Sequence, residues 1–262
     1  MSDLYLFKTT LRDLVRIKRV LLALLLVAVP AIIAGFWKYR VHAHAMPVKP
    51  DVIYSTLSAG LVFGFILVLL SVVFGAGIVS QEMEQKTIVY LLTRPVPRWR
   101  ILLAKFLAVL VVVIATVWIA SLTLAFVSFG SSALHVPAVR RDLMVAPVGA
   151  VAYGSLFLLA ATVLARPLLW GLLFTFGWES WAPNLPGSFK KGSLMAYLRV
   201  LAPHPTPEAD SMDLTSLMNA LSPTTISRTL SWEVLSIVTV VCLVGALAVF
   251  SLKEYVPRDD AE

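Results

Sequence analysis

Two clusters in this chain have the residue types and spacing to do chemistry. His42-Ala-His44-Ala-Met46 puts two imidazoles and a thioether close together, donors that suit copper. An HxH pair in an ordinary loop looks the same, so His42, His44 and Met46 are candidate ligands and no metal is assigned. The second cluster is QEMEQKTIVYLLTRPVPRWRILLAK, Gln81–Lys105, a charged, Pro-interrupted segment wedged between two long apolar runs. Common catalytic signatures are missing from the sequence: it has no G-x-x-x-x-G-K-[ST] phosphate loop and no HExxH, and it offers no convincing Ser-His-Asp set. The chain is therefore expected to be no enzyme and to bind no cofactor itself.

The elements that must position these residues follow from composition. Of 262 residues, 59% are hydrophobic and 14% charged, with a mean hydropathy of +0.86; a soluble domain carries roughly 25% charge. A chain of this length could not hide so much apolar surface from water, so lipid is the solvent it is built for. The net charge of +7 sits mostly in Lys and Arg beside the apolar runs, where anionic headgroups and topology account for it better than nucleic acid does. The single cysteine, Cys242, lies inside an apolar run, which excludes an intrachain disulfide and suits a small packing residue. The first apolar run lacks a clear small-residue cleavage site and is expected to be retained as a span.

Six apolar segments are predicted to cross the bilayer: residues 20–37, 55–79, 101–129, 146–165, 167–182 and 232–252. The fifth is short against the roughly 20 residues a crossing needs, and it is expected either to form a hairpin with the fourth or to be partly re-entrant. Arg166-Pro167 marks the turn between them, with Pro suited to the first helical position. An even number of spans places both termini on one side. Lys8, Arg12, Arg16, Lys18 and Arg19, together with the basic residues of 80–105, assign that side as cytoplasm. Residues 1–19 read as an amphipathic helix lying along the inner surface, with Leu4, Leu11, Leu14, Val15 and Lys18 on one arc. The 183–231 loop is too long to lack structure, and its stretches Phe189–Leu201 and Asp213–Leu230 predict short helices capping the outer mouth. All four histidines fall on that outer side. Gly60 and Gly64 form a GxxxG in span two, with Ser71, Gly75 and Gly77 following, and they predict close helix packing, near a dimer seam. Glu179, between Trp178 and Trp181, reads as a residue of an aromatic belt.

Within the charged segment, Glu82 and Lys86 pair at i,i+4, and Pro95 and Pro97 then break the helix. Trp99 is placed to anchor the next span. Glu82, Glu84, Thr87, Leu91, Leu92, Pro95, Arg98 and Lys105 stand in an order that resembles the permeases of type-2 ABC exporters. Lys86 replaces the usual Gly, and Ala104 replaces the Gly before the final Lys. The resemblance covers essentially the whole chain and implies an all-α membrane protein. Its six transmembrane helices form one permease domain over 1–262, with the interfacial helix, a cytoplasmic coupling helix within 80–100, and outer helices between spans five and six. It further implies a cytosolic ATPase partner that carries the ATP and Mg, a second permease copy, and a cytoplasmic (inner) membrane location.

The apolar interiors read as free of carboxylates and basic groups, whereas ion-driven transporters need such groups inside the membrane. A transporter with neither site must take its energy from a partner. Competing readings are a non-transporting anchor that recruits an ATPase to an outer-side assembly, and a permease dedicated to copper-enzyme maturation. A secondary transporter is disfavoured by the uncharged spans.

Overall fold

The computed structural model describes residues 2–14, 17–43, 49–84, 98–185, 187–204 and 226–252, and every regular element among them is helical. In chain order these are α1 (Ser2–Leu14), α2 (Ile17–Ala43), α3 (Pro50–Leu57), a wide-turned π segment (Ser58–Leu67) that leads directly into α4 (Val68–Glu84), α5 (Arg98–Phe129), α6 (Pro137–Val163), α7 (Pro167–Leu173) continued by a second π segment (Phe174–Glu179), α8 (Leu194–Leu201) and α9 (Arg228–Leu252). Five stretches are long and apolar enough to cross a membrane: Val20–Arg40, Pro50–Ile78, Trp99–His135, Pro137–Val163 and Arg228–Leu252. They take in five of the six predicted spans. The remaining one, 167–182, is α7 and its π continuation, roughly 20 Å of helix against the roughly 30 Å of a hydrocarbon core.

Proline and glycine set the boundaries. α3, α6 and α7 each carry Pro at their first turn, where the missing amide costs nothing. Between α5 and α6 the chain turns at Gly130, whose φ of +65° favours a residue without a Cβ. Span four therefore begins nine residues earlier than the sequence reading placed it, because Pro137 starts the helix before the apolar run does. Pro30 and Pro147 lie inside α2 and α6 without ending them, as lipid-embedded helices allow.

α6 is the central post, packed by α4, α5, α8 and α9. Contacts along it give the register. Asp142 meets Tyr54, Gly149 meets Leu67, and Gly75 meets Phe157, so α3–α4 runs in the same direction as α6. α5 runs the opposite way: Trp118 Nε1 donates to the Leu143 carbonyl at 2.8 Å, and Phe106 lies over Gly154. Tyr153, Leu158, Val62, Leu67 and Leu124 are fully buried in the seams. α2 and α9 are the outer staves, with Leu24, Leu25, Ile32, Val241 and Val244 exposed, as helices solvated by lipid should be. α1 packs on α5 with Leu14 buried, Leu11 half-buried and Lys8 and Arg12 exposed; the side chains of Leu4, Val15 and Lys18 on the predicted arc lie outside those described. Cys242 is buried, as expected of a packing residue.

Candidate functional site

Two buried carboxylates each tie several helices of this bundle to α6, and both correct the sequence reading. Asp142, one turn into α6, is 1% exposed, and Glu179, at the end of the second π segment, is 4% exposed. The expectation that the interior holds no carboxylate fails at these two residues. Glu179 also leaves the aromatic belt assigned to it, although its neighbours Trp178 and Trp181 are exposed. The physical reason is donor supply. A carboxylate leaves water only where enough donors replace its hydration, and each of these two collects three on a single oxygen.

Asp142 Oδ2 accepts from Tyr54 Oη at 2.7 Å, Ser58 Oγ at 2.6 Å and His204 Nε2 at 3.0 Å. These come from α3, the first π segment and the chain just past α8. A carboxylate only accepts, so the proton on His204 sits on Nε2. The Phe63 ring lies 6.1 Å from the imidazole. Glu179 Oε1 accepts from Tyr153 Oη of α6, Ser193 Oγ at 3.0 Å and the Met195 amide at 2.5 Å. Ser193 is also the N-cap of α8, its Oγ accepting from the Ala196 amide. Glu179 thus sits where the positive end of the α8 dipole favours a negative charge. Its second oxygen, Oε2, has no hydrogen-bond partner among the described residues.

The two π segments carry Ser58 and Glu179 of these clusters. Gly64 shows what the first wide turn requires: a Cβ there would lie 3.1 Å from the Ala59 carbonyl oxygen, five residues back. Such turns gather at functional positions. α8 then rests on Gly149, where a Cβ would come within 2.8 Å of Leu67 Cδ2 and 3.0 Å of Leu198 Cδ1. Of the predicted stretch Phe189–Leu201, Phe189 is exposed and residues 194–201 form the helix α8. Apart from Arg199 and the half-buried Val200, α8 is buried.

The predicted site residues fall elsewhere. Thr87, Leu91, Leu92 and Pro95 lie outside the described residues, as do His44, Met46 and most of Asp213–Leu230. Glu82 and Glu84 occupy the last turn of α4, and Arg98 is the first residue of α5; only their backbone is described. His42 lies in the last turn of α2. Among the described residues no group of three or more His, Cys, Asp or Glu is placed to hold a metal ion. A Cβ added at Gly60 would meet nothing within 4 Å among the described residues, whereas Gly64 faces Met195 and Gly75 sits against Phe157. Trp99 is exposed with the Arg100 guanidinium 5.2 Å over its ring, a cation–π contact.

A family model described as "ABC-2 family transporter protein" matches residues 4–255. No curated protein matches the chain.

Proposed function

Because that match spans nearly its whole length, the chain belongs to the ABC-2 transporter family, and on that premise we propose that it is the permease of an exporter driven by a separate ATPase subunit. The observation that carries this reading is helical continuity on both sides of residues 85–97. α4 continues past Ile78, the end of its apolar stretch, to Glu84, and α5 resumes at Arg98. Each arm reaches the charged segment as unbroken helix, so a push applied there travels into spans two and three as rigid-body movement. Glu82, Glu84, Thr87, Leu91, Leu92, Pro95 and Arg98 form the surface that docks the ATPase. ATP and Mg bind the partner, and a second permease copy completes the path.

The six-crossing layout is kept with one crossing made in two pieces. α7 climbs the inner half of α6, with Gly171 against Phe157 and Glu179 at Tyr153. α8 takes over at that level and climbs the outer half, with Leu198 at Gly149 and His204 at Asp142. Both termini then lie in the cytoplasm of an inner-membrane protein, with α1 along the inner surface.

The test is the Glu82→Ala/Glu84→Ala double variant, reconstituted with the ATPase subunit. Membrane insertion should be unchanged, while stimulation of ATP hydrolysis by the permease falls at least tenfold. Full stimulation by the double variant rules out docking through these carboxylates.

A further inference from the structure

Among the described residues, α8 is the buried helix of the outer half that belongs to no long continuous span, yet both of its ends are held. At its N-terminus, Glu179 takes the Met195 amide and the Ser193 hydroxyl and is joined to α6 through Tyr153. Just past its C-terminus, His204 meets Asp142 of α6, and the same carboxylate oxygen holds Tyr54 and Ser58 of span two. On α6 the attachment points Asp142 and Tyr153 are about three helical turns apart, the same interval that separates Ser193 from His204 along the chain. A helix fastened at one point can swing; fastened at two points this far apart, it keeps both its position and its axis. Between the two fastenings Leu198 fills the notch at Gly149. The gap between α8 and span two, bounded by Ala59, Phe63, Met195 and His204, is only about 10 Å³, at the lower limit of what one water needs.

We propose that Asp142 and Glu179 are positioning residues that rivet α8, span four and the outer end of span two into one rigid block. Resting on the reading above, this block is what carries movement of the cytoplasmic segment to the outer face. Span two enters that segment at one end and the Asp142 joint at the other, so a displacement at Glu84 arrives at Tyr54 and is passed to α6 and α8 together. Hydrogen-bond joints to a carboxylate in low dielectric suit this task, because a buried donor that loses its acceptor is heavily penalised. Separating any one element leaves at least one such donor bare.

Hydrogen–deuterium exchange followed by mass spectrometry tests this on the full chain in lipid nanodiscs, first alone and then in complex with the ATPase under ATP, Mg and vanadate. Alone, amides of 194–201 should exchange as slowly as those of 149–157. Asp142→Ala should speed exchange at least tenfold in 50–58 and 194–204 together, leaving 153–163 unchanged. Tyr54→Phe and His204→Ala, which each remove one spoke and keep the carboxylate, cover the case in which Asp142→Ala does not fold. His204→Gln, which retains a donor, should restore the wild-type pattern. In the complex, trapping should shift 50–58, 137–144 and 194–204 by a common factor. Tyr54→Phe should let 50–58 shift alone, with ATPase affinity unchanged. Independent shifts of the three segments in the wild type, or release of 194–204 by Asp142→Ala with 50–58 unmoved, overturn the rigid block. Loss of ATPase stimulation in the wild type with the single-chain exchange pattern intact would instead count against the coupling reading.

Discussion

Replacing Asp142 with Ala should lower the stability of the permease far more than replacing the exposed Asp51 near the start of α3. The substitution deprives Tyr54 Oη, Ser58 Oγ and His204 Nε2 of their common acceptor, in a place where Asp142 is 1% exposed and water cannot substitute. Hydrogen bonds within membrane helix bundles are each worth about 0.6 kcal/mol on average and up to about 1.7, so losing this set costs about 2–5 kcal/mol. For a chain of this size each kcal/mol moves the unfolding midpoint by about 2–4 °C, which puts the expected drop at roughly 4–20 °C. Tyr54→Phe removes a single bond and should cost about 1 kcal/mol, or about 3 °C. Asp51→Ala should fall within about 0.5 kcal/mol of wild type. The assay is intrinsic-fluorescence thermal unfolding of the purified protein in one fixed detergent. Equal midpoints for Asp142→Ala and Asp51→Ala would refute the reasoning, because they would mean that the three donors find other acceptors at no cost.

Gly149→Ala should destabilise by about 1–3 kcal/mol, as overpacking does, because the new methyl meets Leu67 and Leu198 at 3.0 Å or less. Adding Leu198→Ala should recover part of that loss, and a double-mutant cycle of midpoints reads the coupling. Glu179→Gln keeps an acceptor for Tyr153, Ser193 and Met195 and should stay within about 1.5 kcal/mol of wild type, while Glu179→Ala should lose about 2–5 kcal/mol in the same assay. Lys38→Met should cost about 1 kcal/mol, since its ammonium donates at 3.0 Å to the Val127 carbonyl in the last turn of α5; a midpoint unchanged within error would sink that assignment.

The spans were legible because apolar length is a strong signal, and five of the six predicted runs coincide with long helices. The Arg166-Pro167 turn was legible too, since a proline at a helix start follows from the missing amide. Asp142 was hidden by its neighbours. Arg140 and Arg141 precede it, and the RRD triplet reads as a solvated outer loop until Pro137 is taken as the start of α6. Glu179 was hidden by the opposite effect, since two flanking tryptophans made an interface the natural reading. Neither carboxylate has its donors nearby in sequence: Tyr54 and His204 reach Asp142 across separations of 88 and 62 residues. Such a site is a product of tertiary packing, and no local pattern announces it. The π turns were equally silent, although Gly64 is the residue that tolerates the first of them. The segment at 81–98 was the reverse case: its local residue order carried the family resemblance, and the family model matches residues 4–255.

The central claim is that residues 81–98 receive the ATPase, and site-specific crosslinking tests it most directly. A photo-crosslinking side chain at Leu91, in membranes holding both subunits, should yield a covalent adduct with the mass of permease plus ATPase subunit. The same group at Trp181, exposed just past the second π segment, should yield none. An ATPase that co-purifies with the permease while no adduct forms at Leu91, Thr87 or Leu92 would contradict the account.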